Sequence, residues 1–232
     1  MVNPMRVTVE IGPKGKKAAA VAPDWPGLER GAASGEAAVE RLIAYIPRYA
    51  SVVKLAGMEA AFASSRPVEV VERYPGPGST DFWGISFAFS SIDQQAMSDE
   101  ALERELRLMR ACWAFFDEVR SRVSVEMRRG PRGGGGDRDH IVRHAFAAEL
   151  DWSKKLGVLT PLDAMLTGEG LSEHRDAFCS AVWDHHLLGK QAGNVAKWPL
   201  RYLIRHTAYH TLDHAWEMED KDLTTGNDRS RP

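Results

Sequence analysis

The spacing of apolar positions changes along the chain, from alternation near its start to helical recurrence beyond residue 98. VTVEI at 7–11 alternates, and KKAAAVA at 16–22 extends again after the GPKG turn, which is the signal of a hairpin. PDWPG at 23–27 reads as a second turn. Ser34 is placed to cap a helix from Gly35 to Val53, with Ala38, Leu42, Ile43, Ile46 and Tyr49 at helical spacing and Pro47 expected to bend or end it. PVEVVERY at 67–74 returns to strand composition, so the predicted order is strand, strand, helix, strand.

Beyond a break in YPGPG, the period becomes that of helices. Leu102, Leu106, Met109, Trp113, Phe116 and Val119 recur at three or four residues across 99–123, behind a capping Ser98. A second helix is predicted over 138–156 and a third over 171–188, the latter with Phe178, Val182 and His185 in line. The fourth is predicted over 197–219. Antiparallel neighbours of this length would enclose a common core. The expected architecture is therefore a two-domain α+β chain: a small α/β domain at 1–75, an aromatic connector at 76–97 and a four-helix bundle at 98–222. Phe82, Trp83, Phe87 and Phe89 make the connector a tethered segment, packed on a domain or lining a ligand pocket.

Composition narrows the function classes. Hydrophobic residues make up 44% of the 232 positions and there are seven tryptophans, ample for a core. No charged segment followed by an apolar stretch reads as a signal peptide, and no apolar run spans a bilayer, so a cytoplasmic location with no membrane partner is expected. Thirty basic and 32 acidic residues are interspersed, for a net charge of −2, which gives no general attraction to a polyanion. A nucleic-acid partner is not expected, and the basic cluster MRRGPR at 127–132 reads as part of a surface loop over 124–137. Cys112 and Cys179 are too few for a cysteine-based metal knuckle and read as buried packing.

The candidate chemistry lies in histidines. His206, His210 and His214 follow at intervals of four in RYLIRHTAYHTLDHAWEMED, which stacks them on one helix face about 6 Å apart per step. All three cannot share one ion, because the outer two lie about 12 Å apart along the axis. His210 and His214 border the inward stripe of Leu200, Leu203, Thr207 and Met218, with His206 at the rim. A third donor would come from another helix, and His144 is the best placed, closer than His140 to a face marked by Ile141, Ala148, Trp152 and Leu156. Three histidines with an open coordination position suit zinc, nickel or iron, with zinc or nickel the expected divalent metal. The bland alternative is a set of hydrogen-bonded, inert helix-face histidines. His185 and His186, adjacent and diverging by about 100°, cannot readily share a metal, and one is expected to face the bundle.

The segment from about Leu102 to Asp220 resembles the DinB-like, or YfiT-like, metal-binding four-helix bundle family. That family carries a histidine on its second helix with an acid five residues later, matched by His144 and Glu149, and an H-x-x-x-H pair on the last, matched by His210 and His214. Ala215 departs from the arginine or similar residue usual after the last histidine, which bears on the substrate pocket more than on the metal. The resemblance implies a metal site that binds and activates a low-molecular-weight thiol in some members, with a small-molecule substrate. The amino-terminal stretch APDWPGLERGAASGEAAVERLIAYIPRYA, through Pro23, Pro26, Gly27 and Glu36, resembles the small α/β fold of HicB-like proteins. It implies a structural or dimerising role, with a homodimer as the expected assembly, or a lid over the bundle site.

A metal held by His144, His210 and His214 would ease deprotonation of a bound thiol or water. Glu149, Asp213 and Glu217 are candidates to orient the ligand imidazoles, and Glu217 is the candidate general base, against the alternative of a solvated surface carboxylate. Two readings follow: a metal-dependent transferase using a low-molecular-weight thiol, or a non-catalytic binding or regulatory protein in which the site is structural or sensing.

Overall fold

The computed structural model describes residues 4–129, 136–192 and 198–224. Four strands open the chain, β1 (Met5–Ile11), β2 (Ala18–Val21), β3 (Glu29–Ala32) and β4 (Val68–Pro75), with α1 (Gly35–Leu55) and α2 (Glu59–Ser64) between the last two. They form one sheet in the order β3-β2-β1-β4, antiparallel except for the β1–β4 pair. The short helix α3 (Gly78–Trp83) precedes four long helices, α4 (Asp99–Arg122), α5 (Arg138–Ser153), α6 (Gly168–Ala192) and α7 (Leu200–Lys221).

Strand β3 was not foreseen beyond the PDWPG turn. Its residues begin Glu29-Arg30, a polar pair that carries no strand signal, yet both are buried. They are tolerated there because each meets an opposite charge: Glu29 meets Arg205, and Arg30 meets Asp213. Ser34 caps α1 by accepting from the Ala37 amide at 3.2 Å, as expected. The helix then continues through Pro47 to Leu55, so it does not end at the proline. Ile46 and Tyr49, buried on either side of the exposed proline, hold the helix against the sheet and offset the missing amide.

Hydrogen bonds tie the connector at 76–97 to both halves. Glu10, buried in the central strand, accepts from the Thr80 hydroxyl, from Ser86 Oγ at 2.9 Å and from the Ala88 amide at 2.9 Å. At its far end Asp93 receives the Arg205 guanidinium of α7 through two bonds, of 2.7 and 2.8 Å. A single hydrophobic cluster runs from Val7 and Val9 of β1 through Leu42 and Tyr49 of α1 and Leu108 and Phe116 of α4 to Leu203 and Met218 of α7.

Among the four long helices, α4 and α7 are parallel neighbours, which corrects the expectation of antiparallel ones. Glu105 near the start of α4 meets Arg201 at the start of α7, and Arg122 at the end of α4 meets Glu219 at the end of α7. Helix α6 runs antiparallel to α4, with His186 bonded to Asp99 at 2.7 Å and Arg175 to Asp117 at 2.6 Å. The inward member of the adjacent histidines is thus His186, not His185: a helix from Gly168, three residues earlier than expected, buries His186 beside Asp99. Helix α7 begins at Leu200, so the predicted start at 197 lies outside the described residues, as do 130–135 of the basic loop. Cys112 and Cys179 are both buried and free. No helix among the described residues is long and apolar enough to cross a membrane.

Candidate metal centre

Helix α7 owes its register to charges placed along its length. Arg201 meets Glu105, Arg205 meets Asp93, Asp213 meets Arg30 at 2.9 Å, and Glu219 meets Arg48 at 2.9 Å. These contacts turn Asp213 toward β3, where Arg30 also lies over the rings of Tyr45 at 3.8 Å and Trp216 at 4.2 Å. His210 and His214 are left half-buried on the face that looks at α5. Helix α5 starts where Asp137 accepts from the His140 amide at 2.7 Å. It buries Ile141, Val142, Ala145, Phe146, Glu149 and Leu150, a face rotated from the predicted one, and this rotation leaves His144 exposed beside α7.

The three rings converge. Centroid separations are 5.1 Å for His144–His210, 4.9 Å for His144–His214 and 4.5 Å for His210–His214. One nitrogen from each can be chosen so that all lie within 4.8 Å of one another. His210 is held well below the ordinary histidine range by burial and by the imidazoles of His214 and His144. The part of His144 turned to α7 loses water, and with His214 and His140 nearby its pKa is lowered too. Both rings therefore keep a free lone pair at neutral pH, as a metal ligand must.

His214 is oriented from behind. Its Nδ1 lies 2.8 Å from Glu217 Oε2, while Glu217 Oε1 accepts from Lys221 Nζ at 2.5 Å. Burial pushes the Glu217 carboxyl up, but these two bonds outweigh it and leave the group below its usual range. Glu217 is thus not a solvated surface carboxylate: each oxygen has a partner, and the group holds the His214 ring through Nδ1. Lys221 was not singled out from the sequence, although its spacing of four from Glu217 is the signal that finds it.

Other sequence candidates stand elsewhere. Glu149, which matches the family acid, is buried against Arg175 at 3.1 Å, since five residues of helix turn it away from His144. His206 is not a rim residue but a buried one, stacked on Tyr202 at 5.2 Å and set edge-on to Trp152 at 4.6 Å. The helical wheel placed it against one core, whereas the first half of α7 is enclosed on every side, Arg201 to Tyr209 all being buried. Comparison of the chain with family models, with curated proteins and with solved structures finds no match in any of the three.

Proposed function

We propose that the protein binds a divalent metal, zinc or nickel, through His144, His210 and His214 and uses it in transferring a low-molecular-weight thiol to a small-molecule substrate. The observation that carries this reading is the convergence of three imidazoles from two helices, with donors within 4.8 Å of one another. A tetrahedral ion with bonds of about 2.1 Å needs donors about 3.4 Å apart, within reach of small ring rotations. Protein donors would fill three positions and leave one open, the arrangement of catalytic zinc. When bound, such a cation lowers the pKa of a coordinated thiol or water.

The chain's own contributions are separable. His210 supplies a ring kept neutral by burial, and Glu217 with Lys221 fixes the tautomer of His214. The resemblance to DinB-like bundles supports the same assignment from sequence, through His144, His210 and His214. The HicB-like segment belongs to this reading as a structural support, since β3 anchors α7 through Arg30 and Asp213.

A non-catalytic site, structural or sensing, is the second reading. It is favoured by Glu217, whose two oxygens are each already engaged, by His214 and by Lys221, in a contact that holds the site together. Calorimetry of the metal-loaded protein with small thiols, and turnover with a panel of electrophiles, separates the two. Thiol binding that requires metal supports the transferase, whereas a metal-loaded protein with neither thiol binding nor turnover moves the assignment to the second reading.

A further inference from the structure

A second constellation lies on the opposite segment of the chain, where the β1–β2 hairpin, the end of β3 and the end of α3 enclose a cleft of about 230 Å³. Lys16, Lys17 and Arg41 line it together with Trp83, Gly31 and Gly84, and no acidic residue lines it among the described residues. Its shape depends on two glycines. A Cβ on Gly31 would fall 1.9 Å from the Gly84 carbonyl oxygen, and Gly84 itself has φ +70°, so the connector can close on β3 only with glycine at both positions.

The cations are held at the cleft. Arg41 Nη1 donates to the Gly31 carbonyl at 3.0 Å, and Lys17 Nζ donates to the Phe82 carbonyl at 2.6 Å. Asp81, the nearby carboxylate, is turned into the hairpin, where its oxygens accept from the Lys14 and Lys16 amides at 2.7 Å each and from the Lys17 amide at 3.3 Å. Its charge orders the loop without occupying the cleft. Ala32 and Ala33, which also line it, lead into the capped start of the 21-residue α1, whose amino-terminal dipole adds to the positive potential. Trp83 stands 62% exposed at the rim and Phe82 66% exposed beside it, their rings edge to face at 4.6 Å.

A larger cavity of about 420 Å³ between α4 and α6 makes the contrast. There Arg110 is matched by Asp176, and Arg120 and Arg175 by Asp117, so its charges are balanced within the protein. The hairpin cleft has three cations and no carboxylate in its lining, with Asp81 offsetting part of the Lys16 charge from the hairpin side, and a large apolar surface next to it; that combination is the chemistry for a phosphate joined to a planar ring.

We infer that this cleft binds a phosphorylated ligand with a planar ring, of the mononucleotide class, with the phosphate between Lys16, Lys17 and Arg41 and the ring stacked on Trp83. The site is independent of the histidine cluster. Calorimetry on the full chain with AMP, ribose 5-phosphate, adenosine and orthophosphate tests it. AMP binds more tightly than the other three, and Trp83→Ala and Arg41→Gln each weaken it about tenfold, consistent with the loss of one stacking or one charge-assisted contact. Lys16→Gln, at an exposed loop position, gives a second charge variant should Arg41→Gln alter the fold by circular dichroism. No AMP binding at millimolar concentration overturns the assignment, as does binding that the variants leave unchanged or adenosine binding as tightly as AMP. Selective binding of an oligonucleotide, or of phosphatidylserine vesicles, by a protein that does not bind AMP also overturns it, because the surface then serves a macromolecule or a membrane.

Discussion

Among the three proposed ligands, and among the described residues, His214 alone has a ring nitrogen engaged by a carboxylate, at 2.8 Å from Glu217. Such orienting partners contribute about 10- to 100-fold to metal affinity. Glu217→Gln is therefore expected to lower zinc affinity by that factor in a competition titration while the melting temperature of the metal-free protein changes little. An unchanged affinity would mean that the contact does not serve a ligand. The i,i+4 pair His210 and His214 was legible in the sequence because helix geometry alone puts them together. His206 belongs to the same ladder and was misplaced, since spacing does not say how many sides of a helix are covered.

That difference at His206 has a thermodynamic consequence. Burial, with Arg205 adjacent, pushes its pKa down to about 3, and burial beside Arg175 pushes His174 down to about 4. The unfolded chain takes up these protons as pH falls below about 6.5, and the folded chain does not until far lower. Stability contributed by keeping the rings neutral is fully present above about 6.5 and is lost as pH falls toward 4 and then 3. His206→Phe keeps a ring against Tyr202 and removes one titration. Its urea midpoint should fall less between about pH 7 and about pH 5 than that of the parent; an equal or steeper fall would contradict the assignment.

At the scale of elements, helices α4 to α7 were largely legible, because apolar residues at intervals of three and four mark their faces and the cap Ser98 marks the start of α4. Strand β3 and the course of the connector were not. Both depend on buried charges, and a polar letter in a sequence does not reveal the partner that lets it be buried. Arg205 is the clearest case, enclosed on α7 and bonded to Asp93 of the connector and, at 3.4 Å, to Glu29 of β3. Burial pushes the Glu29 carboxyl up, against the pull of Arg205. Asp93→Ala removes the two shortest bonds of a buried guanidinium, leaving it the longer contacts to Glu29 and Ser86, and is expected to cost about 3 kcal/mol in chemical denaturation. A loss below about 1 kcal/mol, the range of an exposed pair, would show that the connector is not fastened to α7 in this way.

For the whole molecule, one hydrophobic cluster joins the sheet, α1 and the long helices, and ion pairs such as Arg30–Asp213 and Arg48–Glu219 cross between them. The expected thermal unfolding is a single cooperative transition seen alike by near- and far-ultraviolet dichroism. Two resolved transitions would instead assign the sheet and the helices to separate folding units. The same packing sets His144 of α5 against His210 and His214 of α7, so the proposed metal centre would depend on the packing of the helices as well as on its three histidines. The most direct measurement is metal content by mass spectrometry on tag-free protein, reconstituted with zinc or nickel and desalted, for the parent and for His144→Ala, His210→Ala and His214→Ala, with dichroism to verify folding. The parent should retain one ion per chain and each folded variant far less than one. A parent that retains none, or variants that retain as much as the parent, would contradict the three-histidine site.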